Sequence, residues 1–289
     1  MQFNQRRKFI QQASILSLGA LLLQRNSFAS VLAGNKTFGI QVYSVKEEMA
    51  KNAKATLKQL SKYGYKKIES FEGPQGIFWG MTNKEYAAYL KSLGMQPTSS
   101  HCDISKDFER KAAEAAEIGM EYLICPYKGA QASIDDYKRI ADEFNQKGEI
   151  CKRNGIRFAY HNHDYTFKLL DGQMPQDVLM NHTDANLVDF EMDMYWVVTA
   201  GASPEAYFKK YPDRFRLVHI KDRTKNAVSI FDSCNLGAGS IDYTKLIHIA
   251  EQYGVRHLMV EQEKYTNTTP MEAAKANAKY MRSAISSLY

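Results

Sequence analysis

Five times along this chain a helix-like stretch ends in glycine and a β-prone run begins at once: Tyr63-Gly64-Tyr65, Leu93-Gly94-Met95, Ile118-Gly119-Met120, Asn154-Gly155-Ile156 and Tyr253-Gly254-Val255. Glycine just past a helix accepts the left-handed backbone that closes it. The segments that follow, among them KKIESF, EYLICP and RHLMVE, read as strands. Helix and strand therefore alternate, which is the pattern of a parallel α/β fold. Filling the gaps predicts strands near 38–43, 66–71, 96–101, 121–126, 156–161, 186–193, 215–220 and 257–262. Helices are predicted near 46–63, 82–93, 106–118, 133–154, 175–182, 203–210, 242–253 and 270–287. Eight strand–helix units over residues 34–289 suit a single (β/α)8 TIM barrel. A doubly wound sheet would place a Gly-rich turn after the first strand, and Gln41-Val42-Tyr43-Ser44-Val45 has none.

Residues 1–33 stand apart. Arg6-Arg7-Lys8 precedes an apolar run, Ala13 to Leu23, and Ser27-Phe28-Ala29 and Val31-Leu32-Ala33 are small-x-small cleavage patterns. That layout predicts an export signal of twin-arginine type and a periplasmic or otherwise exported protein. The apolar run is about half of the roughly 20 residues that span a bilayer, so stable membrane insertion is not expected. Arg6, Arg7, Lys8 and Arg25 lie in this leader with no acid, so the formal charge of +6 becomes +2 without it. A nearly balanced chain gives no electrostatic case for nucleic acid. Cys102, Cys125, Cys151 and Cys234 form no CxxC pair, which argues against a structural zinc site and for ordinary buried thiols.

The chemistry of such a barrel gathers at the C-terminal ends of its strands, and side chains two apart share a face. Six strands end in groups able to bind metal or carry a proton. They are Glu69 on strand 2, His101 on strand 3, His161 and His163 on strand 5, Asp189, Glu191 and Asp193 on strand 6, His219 and Lys221 on strand 7, and Glu261 and Glu263 on strand 8. Converging carboxylates and imidazoles suit a divalent cation, Mn²⁺, Mg²⁺, Co²⁺ or Zn²⁺. Such a cation could grip neighbouring sugar oxygens, polarise a carbonyl and stabilise an enediolate. Gln41, Glu69, His101 and His163 are expected to line the pocket, with Trp79 and Trp196 able to stack on a sugar ring. The turn Gly237-Ala238-Gly239-Ser240 lies where barrels often bind phosphate, but a helix entry capped by Ser240 or Asp242 explains it without a ligand.

At these residues the chain resembles the xylose-isomerase-like barrel superfamily: sugar (phosphate) isomerases and epimerases, inosose dehydratases and endonuclease IV relatives. The resemblance covers all of residues 34–289. It rests on Tyr160-His161-Asn162-His163-Asp164, Asp193 through Trp196, Ala200-Gly201-Ala202-Ser203-Pro204, Arg216 through Asp222, Leu236 through Asp242, and Val260-Glu261. Epimerases of the superfamily take Glu, Asp, His and Glu ligands from strands 5 to 8, which implies Asp193, His219 and Glu261 here. The strand-5 position departs from the pattern, because His161-Asn162-His163 stands where many members have Glu-Asn-His. His161 becomes the fourth ligand candidate, and the tyrosine-histidine pattern is similar to inosose dehydratases.

The resemblance implies a metal-dependent sugar isomerase or epimerase acting by proton abstraction α to a carbonyl, with Glu261 or His161 as base and Lys221 assisting a developing oxyanion or leaving group. The rival is a lyase, dehydratase or hydratase acting on a keto-sugar or a 3-keto-glycoside. A non-catalytic sugar-binding barrel is the minor alternative. A small carbohydrate is the expected partner, and a homo-oligomer stays open.

Overall fold

The computed structural model describes residues 36–287. The expected export leader, residues 1–33, lies outside them.

Eight parallel strands close into a barrel: β1 (Gly39–Gln41), β2 (Lys67–Phe71), β3 (Gln96–His101), β4 (Tyr122–Cys125), β5 (Arg157–His161), β6 (Val188–Asp193), β7 (Phe215–Ile220) and β10 (His257–Val260), which pairs back onto β1. A small antiparallel pair, β8 (Asp222–Arg223) and β9 (Ser233–Cys234), stands between β7 and β10 in the chain. Helices α1 (Lys46–Tyr63), α2 (Asn83–Ser92), α3 (Phe108–Glu117), α4 (Ile134–Arg153) and α5 (Pro175–His182) connect the first six strands. Then come α6 (Met194–Thr199), α7 (Pro204–Lys210), α8 (Tyr243–Gln252) and α9 (Pro270–Ser286). The predicted TIM barrel is thus the observed one.

Local chemistry accounts for the element ends. All five junction glycines have positive φ, from 66° at Gly94 to 103° at Gly64. Thr82, Ser133 and Thr269 each close a capping box at the start of α2, α4 and α9, so two orphan donors are satisfied at each end. Barrel closure depends on Gly39, where a Cβ would sit 2.7 Å from the Lys67 carbonyl oxygen, far inside contact distance.

Three features depart from the expectation. The first strand ends at Gln41 and runs into a 3₁₀ turn, Val42–Val45. Helix α6 follows β6 directly, where no helix was predicted because MYWVVT is β-prone; the Asp193 side chain caps its start. The β8–β9 hairpin was also unforeseen, since two-residue strands leave no periodicity to read. The four cysteines are free, three of them buried, as the thiol reading expected. No helix among the described residues is long and apolar enough to cross a membrane.

Candidate metal centre

Strand ends bring three buried ligand atoms together at the top of the barrel. His161 Nε2 lies 3.5 Å from Asp193 Oδ2, and His219 Nδ1 lies 3.7 Å from the same oxygen. Glu261 Oε2 approaches His219 Nδ1 to 3.3 Å. His161 Nε2, Asp193 Oδ2 and His219 Nδ1 have no hydrogen-bond partner although all three are buried. A buried polar atom without a partner costs on the order of 1–3 kcal/mol, so three aimed at one point call for an occupant.

The spacing names the kind of occupant. Ligands held about 2.0–2.2 Å from one cation lie roughly 3.0–3.6 Å from each other, whereas hydrogen-bonded atoms lie about 2.6–3.0 Å apart. The observed 3.3, 3.5 and 3.7 Å fit, or nearly fit, the former. The cluster of His161, Asp193 and His219, with Glu261 approaching His219, therefore fits a divalent cation.

The remaining atom of each ligand is committed elsewhere, and that commitment aims it. Asp193 caps α6: its Oδ1 accepts from the backbone N–H of Tyr195 at 2.8 Å and Trp196 at 3.2 Å, leaving Oδ2 for the centre. Asn162 pairs with the Asp193 backbone in both directions at 3.2 Å and locks β5 to β6 there. His161 Nδ1 lies 3.1 Å from the Pro126 carbonyl, so it carries the proton and Nε2 the lone pair. His219 Nε2 donates to Glu69 at 2.6 Å, which leaves Nδ1 facing the centre, open to a proton or a cation.

Beneath lies a second layer, Glu69, His101, Glu191 and the Nε2 edge of His219. His101 Nε2 is 2.7 Å from Glu191, and Glu69 also accepts from Gln41 at 3.0 Å and Ser99 at 2.6 Å. These are hydrogen-bond lengths. Burial and the neighbouring Glu69 charge push the Glu191 carboxyl well up. Burial also works to raise Glu69, but the charges of His101 and His219 and the His219 hydrogen bond outweigh it, and Glu69 stays ionised.

Charge in the upper layer is strongly negative. Burial opposes ionisation of Asp193 and Glu261, yet Lys221 and His161 hold Asp193 far below the carboxylate range, and His219 and Lys221 bring Glu261 to about 2. Burial works to lower His219, and the charges of Glu191 and Glu261 win and raise it well above the usual imidazole value. The surroundings want a positive charge at this imidazole, and a bound cation supplies the same charge.

Of the residues expected to line the pocket, His101 and His163 do so, in a cleft of about 310 Å³ with His161, Glu261 and Glu263. Gln41 and Glu69 do not; both are fully buried beneath the floor and act on it through His219. Trp79 is a packing residue, 5% exposed, with its Nε1 donating to Ser70 at 3.0 Å. Trp196 lies under Lys221, whose Nζ is 4.9 Å from the indole centre. Lys221 pairs with Glu263 and lies 3.4 Å from Glu261; burial works to lower it, but the Glu261, Asp193 and Glu263 charges raise it, so it stays protonated. Glu191 was named among the strand-end acids but given no role in the site, although its alternation with Asp193 was a usable signal.

The Gly-rich turn is filled from inside. Asp222 accepts from the backbone N–H of Gly237 and Gly239 at 3.0 Å each and of Ile241 at 3.1 Å. A carboxylate thus occupies the donors a phosphate would use, and Asp242, not Ser240, caps the helix that follows.

The model of the xylose isomerase-like TIM barrel family matches residues 57–284, most of the chain. The chain belongs to that family. Among curated relatives, this xylose isomerase-like barrel is 28% identical over 164 residues to an inosose dehydratase of Clostridium perfringens, covering 51% of this chain and 54% of the relative. It therefore spans about half the length of the curated relatives it matches. Its fold superposes on a sugar phosphate isomerase/epimerase from Parabacteroides distasonis with a TM-score of 0.75 at 27% identity, over 87% of this chain and 95% of that one. A zinc-bound barrel at 14% identity shares the fold, with a TM-score of 0.72 over 88% of this chain and 99% of that one.

Proposed function

We propose that this barrel is a divalent-metal-dependent enzyme that removes the proton α to a carbonyl in a sugar or keto-sugar. The observation that carries the reading is the set of partnerless buried atoms, His161 Nε2, Asp193 Oδ2 and His219 Nδ1, at the floor of a cleft that also presents Glu261. His161, Asp193, His219 and Glu261 would hold the cation, which supplies Lewis acidity toward a carbonyl oxygen when bound.

The chain's own groups divide the remaining work. Glu261, ionised at every pH near neutral, accepts the α-proton, and the electron pair moves onto the carbonyl oxygen as an enediolate. Lys221, protonated beside Glu261, faces negative charge that develops on that side. His163 lines the cleft with a buried, partnerless Nδ1 and is free to orient a sugar hydroxyl. The cleft's small size and buried floor limit water at the reacting carbon.

From the enediolate two outcomes branch. Elimination expels the oxygen substituent at the β-carbon: the C–O bond breaks, a C=C bond forms in conjugation with the carbonyl, and the departing oxygen takes a proton from Lys221. Reprotonation on the opposite face gives an epimer, and proton return to the neighbouring carbon an isomer. Elimination is favoured by the replacement of the strand-5 carboxylate with His161, whose Nδ1 is tied to Pro126 and whose Nε2 faces Asp193, so a second carboxylate base is lacking. The similarity to inosose dehydratases supports the same outcome. The likeness to a sugar phosphate isomerase/epimerase favours the second reading.

Incubating Mn²⁺-loaded protein in D2O with free sugars, keto-sugars and 3-keto-glucosides, followed by NMR, tests both. Deuterium at the α-carbon with an unsaturated product is expected. A deuterated epimer or isomer without it selects the second reading. A purified protein that takes up no divalent cation near neutral pH sinks both.

A further inference from the structure

A second cavity, of about 250 Å³, opens beside the metal-centre cleft, and the two meet at Glu263. Trp196 and Phe231 give it two aromatic surfaces, their ring centroids 5.8 Å apart and their planes at 84°. Trp196 is buried, whereas Phe231 is 60% exposed. Trp196 also packs on His163 at 5.2 Å, and His163 on His161 at 4.9 Å, so the cavity begins one ring beyond the proposed ligands.

We propose that this cavity is a subsite for an uncharged aromatic aglycone, attached to a sugar whose ring occupies the metal-centre cleft. The assignment rests on the reading of that cleft as a sugar site. Three observations carry it. The first is size: ligand pockets span roughly 300–1,000 Å³, so the main cleft alone sits at the lower limit, and a neighbouring cavity that shares its Glu263 wall offers room for a second ring.

The second is that Phe231 is exposed yet held. Its loop is tied at the base by the β8–β9 pair, by Tyr195 Oη donating to the Ile230 carbonyl at 2.6 Å, and by Asp232 Oδ2 accepting from the Val228 and Ser229 N–H groups at 2.9 Å each. An aromatic ring fixed in water at the mouth of a cleft is the arrangement of a binding surface.

The third is charge. Lys221 is neutralised by Glu261 and Glu263, and Lys264 by Asp232, so the cavity presents aromatic faces and no spare cation for a phosphate or carboxylate. It likewise presents no partnerless buried side-chain donor or acceptor to the hydroxyls of a second sugar.

Calorimetry on the Mn²⁺-loaded full chain, with phenyl and methyl glucosides of matched anomeric configuration and with cellobiose, tests the assignment. The phenyl glucoside is expected to bind about 10-fold tighter than the methyl glucoside, the gain of one stacked ring with its burial. Phe231→Ala should bring that ratio to within about twofold, and Phe231→Tyr should preserve it. Equal affinities, tighter binding of cellobiose, or binding of neither glucoside overturns the subsite. The α-proton exchange experiment stands or falls separately, because it reads chemistry in the main cleft on sugars without an aglycone.

Discussion

Two layers of imidazole and carboxylate share His219, one on each edge of its ring, and they behave differently. In the lower layer each imidazole closes one hydrogen bond of 2.6–2.7 Å, His219 to Glu69 and His101 to Glu191, beside longer approaches of 3.3 and 3.4 Å and one partnerless oxygen, Glu191 Oε1. In the upper layer the same residue types stand 3.3–3.7 Å apart with three partnerless atoms. Composition does not separate the layers. The short imidazole–carboxylate hydrogen bonds of the lower layer and the three partnerless atoms of the upper do, and they make the upper layer the candidate ligand cage and the lower its supporting scaffold.

The largest expected effect comes from breaking the upper layer. Asp193→Ala and His219→Ala should each weaken Mn²⁺ binding by more than about 100-fold, beyond what the loss of a supporting partner costs. Metal content after dialysis reads this directly. Asp193→Ala should also cost about 1 kcal/mol of stability through the lost α6 cap, visible in urea melts of metal-free protein. Stoichiometric metal in Asp193→Ala would remove the distinction between the layers.

The lower layer should respond more weakly and unequally. Glu69→Gln takes the charge away from His219 Nε2 and should weaken Mn²⁺ binding by about 10- to 100-fold with the fold intact. Glu191→Gln keeps the shape of a carboxyl whose ionisation burial and Glu69 already disfavour, and should change binding by no more than about threefold. Titration of the two variants with Mn²⁺, followed by calorimetry, compares them. Equal losses would mean that the Glu191 charge supports the centre as much as the Glu69 charge does.

The layers also differ in how far the sequence revealed them. Glycine at a left-handed helix end is a local demand, so all five junctions were legible, and with them the alternation that makes a barrel. His161, Asp193, His219 and Glu261 stood out in the sequence because each lies within one residue of the C-terminal end of its strand. Depth was not legible. Asp189, Glu191 and Asp193 alternate identically, yet Asp189 pairs with Arg157, Glu191 sits in the lower layer and Asp193 in the upper. Only the stagger of neighbouring strands, which sets Glu191 beside His161 and Asp193 beside His219, assigns each its level. The same limit put Gln41 and Glu69 on the pocket wall instead of under its floor. The Phe231 loop escaped for another reason: its conformation is set by contacts with Tyr195 and Asp232 and not by any repeat.

Acid and alkali should separate the layers by a smaller amount, about 1.4 kcal/mol per pH unit for each proton by which folded and unfolded states differ. Burial lowers His101 to about 4 and His163 to about 3, against about 6.5 for an unfolded imidazole. Between pH 5 and 6.5 the unfolded chain therefore binds protons that these two side chains refuse when folded, so stability rises with pH across that window. His219 has the opposite sign. Its folded value is raised, so its contribution is complete below about 6.5 and drains away as pH climbs toward that value. Metal-free protein should accordingly be most stable near pH 6.5 and weaken above it. A bound cation takes over the charge that the His219 proton supplied, so with Mn²⁺ the decline above pH 6.5 should vanish, while the acid limb stays or steepens as protons compete for the ligands. Urea midpoints from pH 5 to 9, with EDTA and with Mn²⁺, give both curves. Parallel curves above pH 6.5 would mean that proton and cation do not exchange at His219, and the upper layer would lose its reading as a metal cage.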